Sequence, residues 1–262
     1  MCVRVEPGEF LGIVGPTGSG KTTLLYLMAG IIPHYYRGNV EGQVTIDGVP
    51  IGDLSLGQLT ERVGVVLQDP EAQLFNLLVR DELAWGLENR GHSRADIARE
   101  VASTVSFFHI EHLRERITYD LSGGEKQRVA LAAVHALAPR VFLFDNPTSQ
   151  LDPLGAADVL DSVRQLASTH GFSIVLVEDK VDELVRVADR IVLLDDGRIT
   201  LAATPREFCL SSDALRHAGV RSTQVAELSA SLSAAGVHLS DPIPITLEEA
   251  VPALRGLVAS SP

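Results

Sequence analysis

The sequence predicts an α/β domain built on a mainly parallel sheet covered on both faces. Two observations carry this. Short apolar runs rich in β-branched and aromatic residues alternate with longer segments of helical character. One run, Phe10–Val14, leads through Gly15-Pro16-Thr17-Gly18-Ser19-Gly20-Lys21-Thr22 into a helical stretch at residues 23–29. That is the strand, glycine loop and helix order in which a backbone wraps an anion. With 262 residues, 45% of them apolar, the chain can bury a large core and is too apolar for disorder.

The elements follow in order. Strands are expected at residues 10–14, 63–67, 141–144 and 173–177. Asp47-Gly48 separates runs 44–46 and 49–51, and Asp195-Asp196-Gly197 separates 191–194 and 199–201. Both predict antiparallel hairpins. Residues 76–138 contain no good strand and read as a helical insertion, with Ser93-Arg94-Ala95-Asp96 marking a helix start. Past Pro205 the texture changes to short helices at 213–219 and 223–235, an extended Asp241-Pro242-Ile243-Pro244 and a last helix at 247–258. The expected organisation is one domain over residues 1–205 and an extension over 206–262.

Charge narrows the function. A net charge of −12 disfavours nucleic acid, which needs clustered Lys and Arg. The longest apolar run, 129–138, ends at Pro139-Arg140, short of the roughly 20 residues that span a bilayer. The first residues lack a signal-peptide pattern. These features predict a cytosolic protein that reaches a membrane only through a partner. Cys2 and Cys209 form no CxxC pair and read as reduced thiols. His109 and His112 lie three apart on an expected helix without a third ligand, and His238 and the other histidines show no ligand spacing either, so no zinc site is expected.

The glycine loop carries phosphate chemistry. Its glycines let successive N–H groups point inward, and the helix N-terminus adds unpaired donors and partial positive charge. Lys21 would bridge the terminal phosphates, and the Thr22 hydroxyl would ligate Mg²⁺. Lys21, Lys126 and Lys180 are the only lysines among many arginines, and a compact ammonium differs from a planar guanidinium. The bland alternative is a glycine-rich turn. A second loop, Leu121-Ser122-Gly123-Gly124-Glu125-Lys126-Gln127-Arg128, opens another helix with Ser122 as N-cap. Two anion sites suggest that two chains share a nucleotide. About twenty residues on, an apolar strand ends in Asp145, a carboxylate suited to Mg²⁺.

With these motifs in this order, roughly residues 5–205 resemble the ATP-binding subunits of ABC transporters. Gly15 to Thr22 match the Walker A loop and Gln68 the Q-loop. Leu121, Ser122, Gly123, Gly124 and Glu125 match the signature, Asp145 closes a Walker B strand, and Ser149-Gln150-Leu151-Asp152 matches a D-loop. Leu67-Gln68-Asp69-Pro70-Glu71-Ala72-Gln73-Leu74-Phe75, the stretch from Asp81 to Asn89, and Ile32-Pro33-His34-Tyr35-Tyr36-Arg37-Gly38 resemble the energy-coupling factor (ECF) type, which powers uptake of vitamins or transition-metal ions.

The resemblance implies a P-loop NTPase core, RecA-like with a mixed, mainly parallel sheet. It also implies a helical signature subdomain over about 76–138 and a small C-terminal extension. ATP would sit on Gly15, Pro16, Thr17, Gly18, Ser19, Gly20, Lys21, Thr22 and Thr23. Mg²⁺ would be held by Thr22, Gln68 and Asp145. A second ATPase subunit would offer its own signature across a head-to-tail pair. A polytopic membrane subunit of an importer would dock near residues 68–85, leaving this chain peripheral on the cytoplasmic face of the cell membrane. Phe75 and Trp85 have a bland reading as subdomain core, and for Trp85 partner contact is an equal alternative.

Three positions depart from the family pattern. Asn146 stands where the family carries the glutamate that polarises water, which removes general-base help worth roughly 10²–10⁴ in rate. Asp179 stands at the switch histidine; a carboxylate ~4 Å from the terminal phosphate would oppose it by about 4 kcal/mol at an effective dielectric near 20. It is expected to turn away or be paired, with Lys180 a candidate. The family's adenine-stacking aromatic has no counterpart in the fourteen residues before Gly15, so either the start is mis-assigned or the base is held weakly. The first two losses predict a hydrolysis-impaired site in a heterodimer, with the intact signature serving a sister subunit. The alternative is a regulatory subunit that binds nucleotide without hydrolysing it.

Overall fold

The computed structural model describes residues 1–237 and 239–260; His238 lies outside them. The strands are β1 Phe10–Val14, β2 Thr45–Ile46, β3 Val49–Pro50, β4 Val63–Val66, β5 Val141–Asp145, β6 Ser173–Val177, β7 Arg190–Asp195 and β8 Arg198–Ala203. The predicted runs sit within a residue or two of these. β2–β3 and β7–β8 are antiparallel hairpins, and β4–β5, β5–β6 and β1–β7 pair in parallel. The mainly parallel α/β architecture is therefore the one the alternation implied.

Two compact units divide the chain. One comprises Met1–Arg4, Phe10–Lys21 and Glu178 onward; the other comprises Val5–Glu9 and Thr22–Val177. In the first, β1 is buried along its length and pairs with β7 in the register Leu11↔Arg190 to Val14↔Leu193. The Asp189 carboxylate accepts from the Phe10 amide at 2.9 Å, and the Phe10 carbonyl accepts from the Asp189 amide, pinning that register. β8 alternates exposed and partly buried residues, as a strand with one wet face does. Thr204 caps the helix Pro205–Leu210 with a reciprocal box to Glu207. Phe208 and Cys209 on that helix are buried, and burial pushes the Cys209 thiol up. Farther on, Arg206 pairs with Glu249 at 2.5 Å, and Glu249 accepts from the Ile245 amide at 2.8 Å, tying the helix Leu247–Ser260 back to the start of the extension.

In the second unit β4, β5 and β6 form a parallel ladder. Phe142 and Phe144 are fully buried with their rings stacked 6.0 Å apart; such side chains contribute about 2–3 kcal/mol each. Helices Val79–Asn89, Arg94–Phe107 and Gly123–His135 fill the expected insertion. Ser93 caps the second of these, accepting from the Asp96 amide at 3.2 Å. The expectation that His109 and His112 share a helix is not met. His109 has a left-handed φ of 53° beyond the helix end, and His112 lies in the 3₁₀ turn Glu111–Leu113. Among the described residues no group of three His, Cys, Asp or Glu is placed to hold a metal ion. No described helix is long and apolar enough to cross a membrane.

Candidate nucleotide site

The phosphate loop of the first unit is shaped by contacts that only small residues allow. A Cβ on Gly15 would lie 2.0 Å from the Leu194 carbonyl oxygen. Gly18 and Gly20 take φ of +83° and +98°, conformations that cost an L side chain strain. The Ser19 amide donates to the Pro16 carbonyl at 3.1 Å and the Gly197 amide to the Ser19 carbonyl at 3.0 Å, so the β7–β8 turn braces the loop. Ser19 is buried, yet its hydroxyl has no hydrogen-bond partner. An orphaned buried hydroxyl inside a glycine-wrapped loop fits an anionic ligand.

Lys21 is buried, and its ammonium makes three contacts. It donates to the Gly15 carbonyl at 2.7 Å and the Pro16 carbonyl at 3.2 Å, and it pairs with Asp179 at 3.1 Å. Sequence reasoning proposed Lys180 for Asp179. Lys180 instead pairs with Glu183, one helical turn away, at 2.8 Å, and that bond raises its pKa. Neighbouring side chains diverge, whereas Asp179 leaves the end of a segment whose Glu178 amide bonds the Ile13 carbonyl of β1.

In the second unit Thr22 and Asp145 meet. The Thr22 hydroxyl donates to Asp145 at 3.2 Å, a hydroxyl and a carboxylate presented together as a hard cation requires. Asp145 and burial together raise the pKa of Tyr26, burial more so. The next residue, Asn146, is buried with φ of 44°, a left-handed conformation that asparagine tolerates. Its amide donates to the Val177 carbonyl at 2.9 Å, while its side-chain oxygen has no partner. Gln68 is exposed beyond β4 and hydrogen-bonds neither Thr22 nor Asp145. Thr22 and Thr23 are both exposed. Beside Thr23 lies an open cavity of about 400 Å³ lined by Leu27, Ile32, Tyr36, Arg37 and Val40, within the size range of small-molecule sites. Four of its lining residues, Ile32, Tyr36, Arg37 and Gly38, belong to the Ile32–Gly38 segment singled out in the sequence, though no cavity was expected there.

The signature turn is rigid and displayed. Ser122 accepts from the Glu125 amide at 3.3 Å, and Glu125 accepts from the Ser122 amide at 2.7 Å. That amide bond, then the Ser122 hydroxyl, lowers the Glu125 pKa. Leu121 is buried, whereas Ser122 and Gly123 are exposed. Gly124 has open space around it, and Gly123 abuts Leu151 and the Gln150 carbonyl. Asp152 caps the helix Pro153–His170, accepting from the Gly155 amide at 2.7 Å, and Leu154 beside it is 80% exposed.

Phe75 and Trp85 are not core. They meet edge to face at 4.7 Å and are 52% and 46% exposed. Buried Glu82 holds the loop beneath them, accepting from the amides of Phe75 at 3.1 Å and Asn76 at 2.7 Å.

A family model described as ABC transporter matches residues 1–149. A protein of Pyrococcus abyssi, named as a presumed ABC transporter ATP-binding protein, is 43% identical over 84% of this chain and 78% of its own length. Among solved structures, cbiO1 of Clostridium perfringens, part of the ABC transporter complex cbiONQ, superposes with a TM-score of 0.74 at 29% identity, covering 86% of this chain and 89% of that one. The cassette MJ0796, solved as a dimer in a post-hydrolysis state with ADP and Pi, gives 0.67 at 27% identity, covering 78% and 88%. With a matching family model over more than half of its length and a relative above 40% identity, the chain belongs to the ABC transporter ATP-binding proteins, ATPases built on the P-loop fold.

Proposed function

We propose that this chain is the ATP-binding subunit of an ECF-type importer, taking MgATP at a dimer interface and coupling its hydrolysis to transport through a polytopic membrane subunit. The loop Gly15 to Thr23 holds the phosphates, and Lys21 neutralises their terminal charge. Thr22 and Asp145 hold Mg²⁺, with Gln68 reaching it when a partner closes the site. When bound, Mg²⁺ supplies charge neutralisation at the phosphate oxygens. Leu121 to Glu125 serve the site of a second ATPase subunit, with Leu151 and the Gln150 carbonyl of the D-loop stretch against Gly123. The exposed Phe75 and Trp85 form the seat for the membrane subunit, which keeps this chain peripheral on the cytoplasmic membrane face. The domain organisation is a nucleotide-binding domain over 1–205 with an extension over 206–262.

One observation carries the finer reading: Asp145 is hydrogen-bonded to Thr22, but the residue after it is an amide with an unpartnered oxygen. Thr22 and Asp145 would hold the cation, while Asn146 carries no carboxylate to take a proton. A neutral amide orients water without taking its proton, so this chain's own site turns over slowly. A heterodimer follows, with a sister subunit whose intact Glu and His use this chain's signature. The cbiONQ likeness supports the importer class. The second reading, a non-hydrolysing regulatory subunit, draws on the same Asn146 and on Asp179. Single-turnover hydrolysis in the assembled complex, with Lys21 and then the sister lysine replaced by Ala, tests both. The heterodimer reading expects most turnover to disappear with the sister lysine. Loss of most turnover on Lys21→Ala overturns it. Turnover by neither site favours the regulatory reading.

A further inference from the structure

The contacts of Lys21 lead to an inference that rests on the nucleotide reading above. An ammonium has three N–H donors. Here two of them go to the Gly15 and Pro16 carbonyls, which are fixed parts of the loop, and the remaining charge of the ammonium is paired with the Asp179 carboxylate at 3.1 Å. A phosphate that binds this buried lysine competes with the charge already paired to it. Asp179 is the acceptor able to leave, since its side chain is 60% exposed and belongs to no part of the loop. We propose that Asp179 is a built-in competitor of the nucleotide, occupying the lysine in place of the terminal phosphates until triphosphate displaces it.

Two effects then act in the same direction. Before binding, the carboxylate must give up an ion pair with a nearly buried cation. After binding, its charge stays close to the terminal phosphate and opposes it. Both weaken affinity and both vanish when the charge is removed. The penalty falls on nucleotides whose phosphates reach Lys21, the β- and γ-phosphates in loops of this kind, and spares a monophosphate. Asp179 is thus a residue that sets phosphate-chain preference at this site.

The test uses the full chain with magnesium. Affinities of wild type, Asp179→Asn and Asp179→Ala are measured for a non-hydrolysable ATP analogue, for ADP and for AMP. Both variants are expected to tighten the triphosphate by about tenfold, as a competing ion pair and a repulsion of the terminal phosphate are removed together, with AMP unchanged. A second readout needs no nucleotide. Lys21, Lys126 and Lys180 are the only lysines, so a lysine-labelled chain gives three side-chain NMR signals, and that of Lys21 should move on Asp179→Asn. Equal or weaker triphosphate affinity in both variants, while the wild type binds, overturns the competitor role and leaves the nucleotide reading intact. A comparable gain for AMP overturns it as well. Failure of every variant to bind any nucleotide, with the Lys21 signal still moving, overturns the nucleotide reading itself and the competitor role with it.

Discussion

Replacing Gly15 by Ala tests whether the phosphate loop is as tightly braced as its contacts indicate. The added Cβ would lie 2.0 Å from the Leu194 carbonyl oxygen and 2.8 Å from the Ser19 hydroxyl. Carbon and oxygen approach no closer than about 3.3 Å without strain, so the loop or β7 must move by about 1 Å. A serine hydroxyl can rotate away; a backbone carbonyl in a fully buried strand residue cannot. Overpacking of this kind costs about 3 kcal/mol, which for a chain of this size lowers the thermal midpoint by about 6–12 °C. The displaced loop also re-aims its amides. Losing one charge-assisted bond to phosphate weakens binding by about 10- to 100-fold. Gly18→Ala is the control: its φ of +83° costs about 1–2 kcal/mol, but nothing lies within 4 Å of the new methyl. Thermal melts and titration with a fluorescent non-hydrolysable ATP analogue read both effects. Wild-type midpoint and affinity in Gly15→Ala, or a larger loss in Gly18→Ala, would refute the reasoning.

Other outcomes follow from the same geometry. Asn146→Glu restores a proton acceptor and should raise single-turnover hydrolysis at this chain's own site by about 10²-fold in the assembled complex; no change contradicts the impaired-site reading. Ser122→Ala removes one arm of the capping box and should cost about 1 kcal/mol in denaturant unfolding, while slowing turnover at the sister's site. Glu125 is held below its ordinary range by the Ser122 amide, so its contribution is complete above the unfolded glutamate pKa and is lost as pH falls through the lower folded value; Glu125→Gln should flatten that acid limb of the stability profile, and an unchanged limb counts against it. Phe75→Ala with Trp85→Ala should reduce copurification with a membrane subunit without lowering nucleotide affinity; undiminished copurification removes that surface from the docking seat.

Much of the molecule was legible from local chemistry. Gly15 to Lys21 announced a phosphate loop because glycine, lysine and threonine at those spacings serve little else, and the strand before it and helix after it follow from residue periodicity. Ser122 and Ser93 were readable because capping involves residues three apart, whereas the capping role of Asp152 emerged only in the structure. What remained open depended on residues distant in sequence. Whether Phe75 and Trp85 faced core or solvent turned on how Glu82 holds their loop. The partner of Asp179 proved to be Lys21, 158 positions away, because two loops at strand ends converge there. The expected shared helix of His109 and His112 gives way at a single left-handed residue that no spacing rule registers. Residue identity dictates which chemistry is possible within one turn of helix or loop; burial and charge pairing are set by the whole packed chain, where the energies of many remote contacts choose between neighbours of similar local merit.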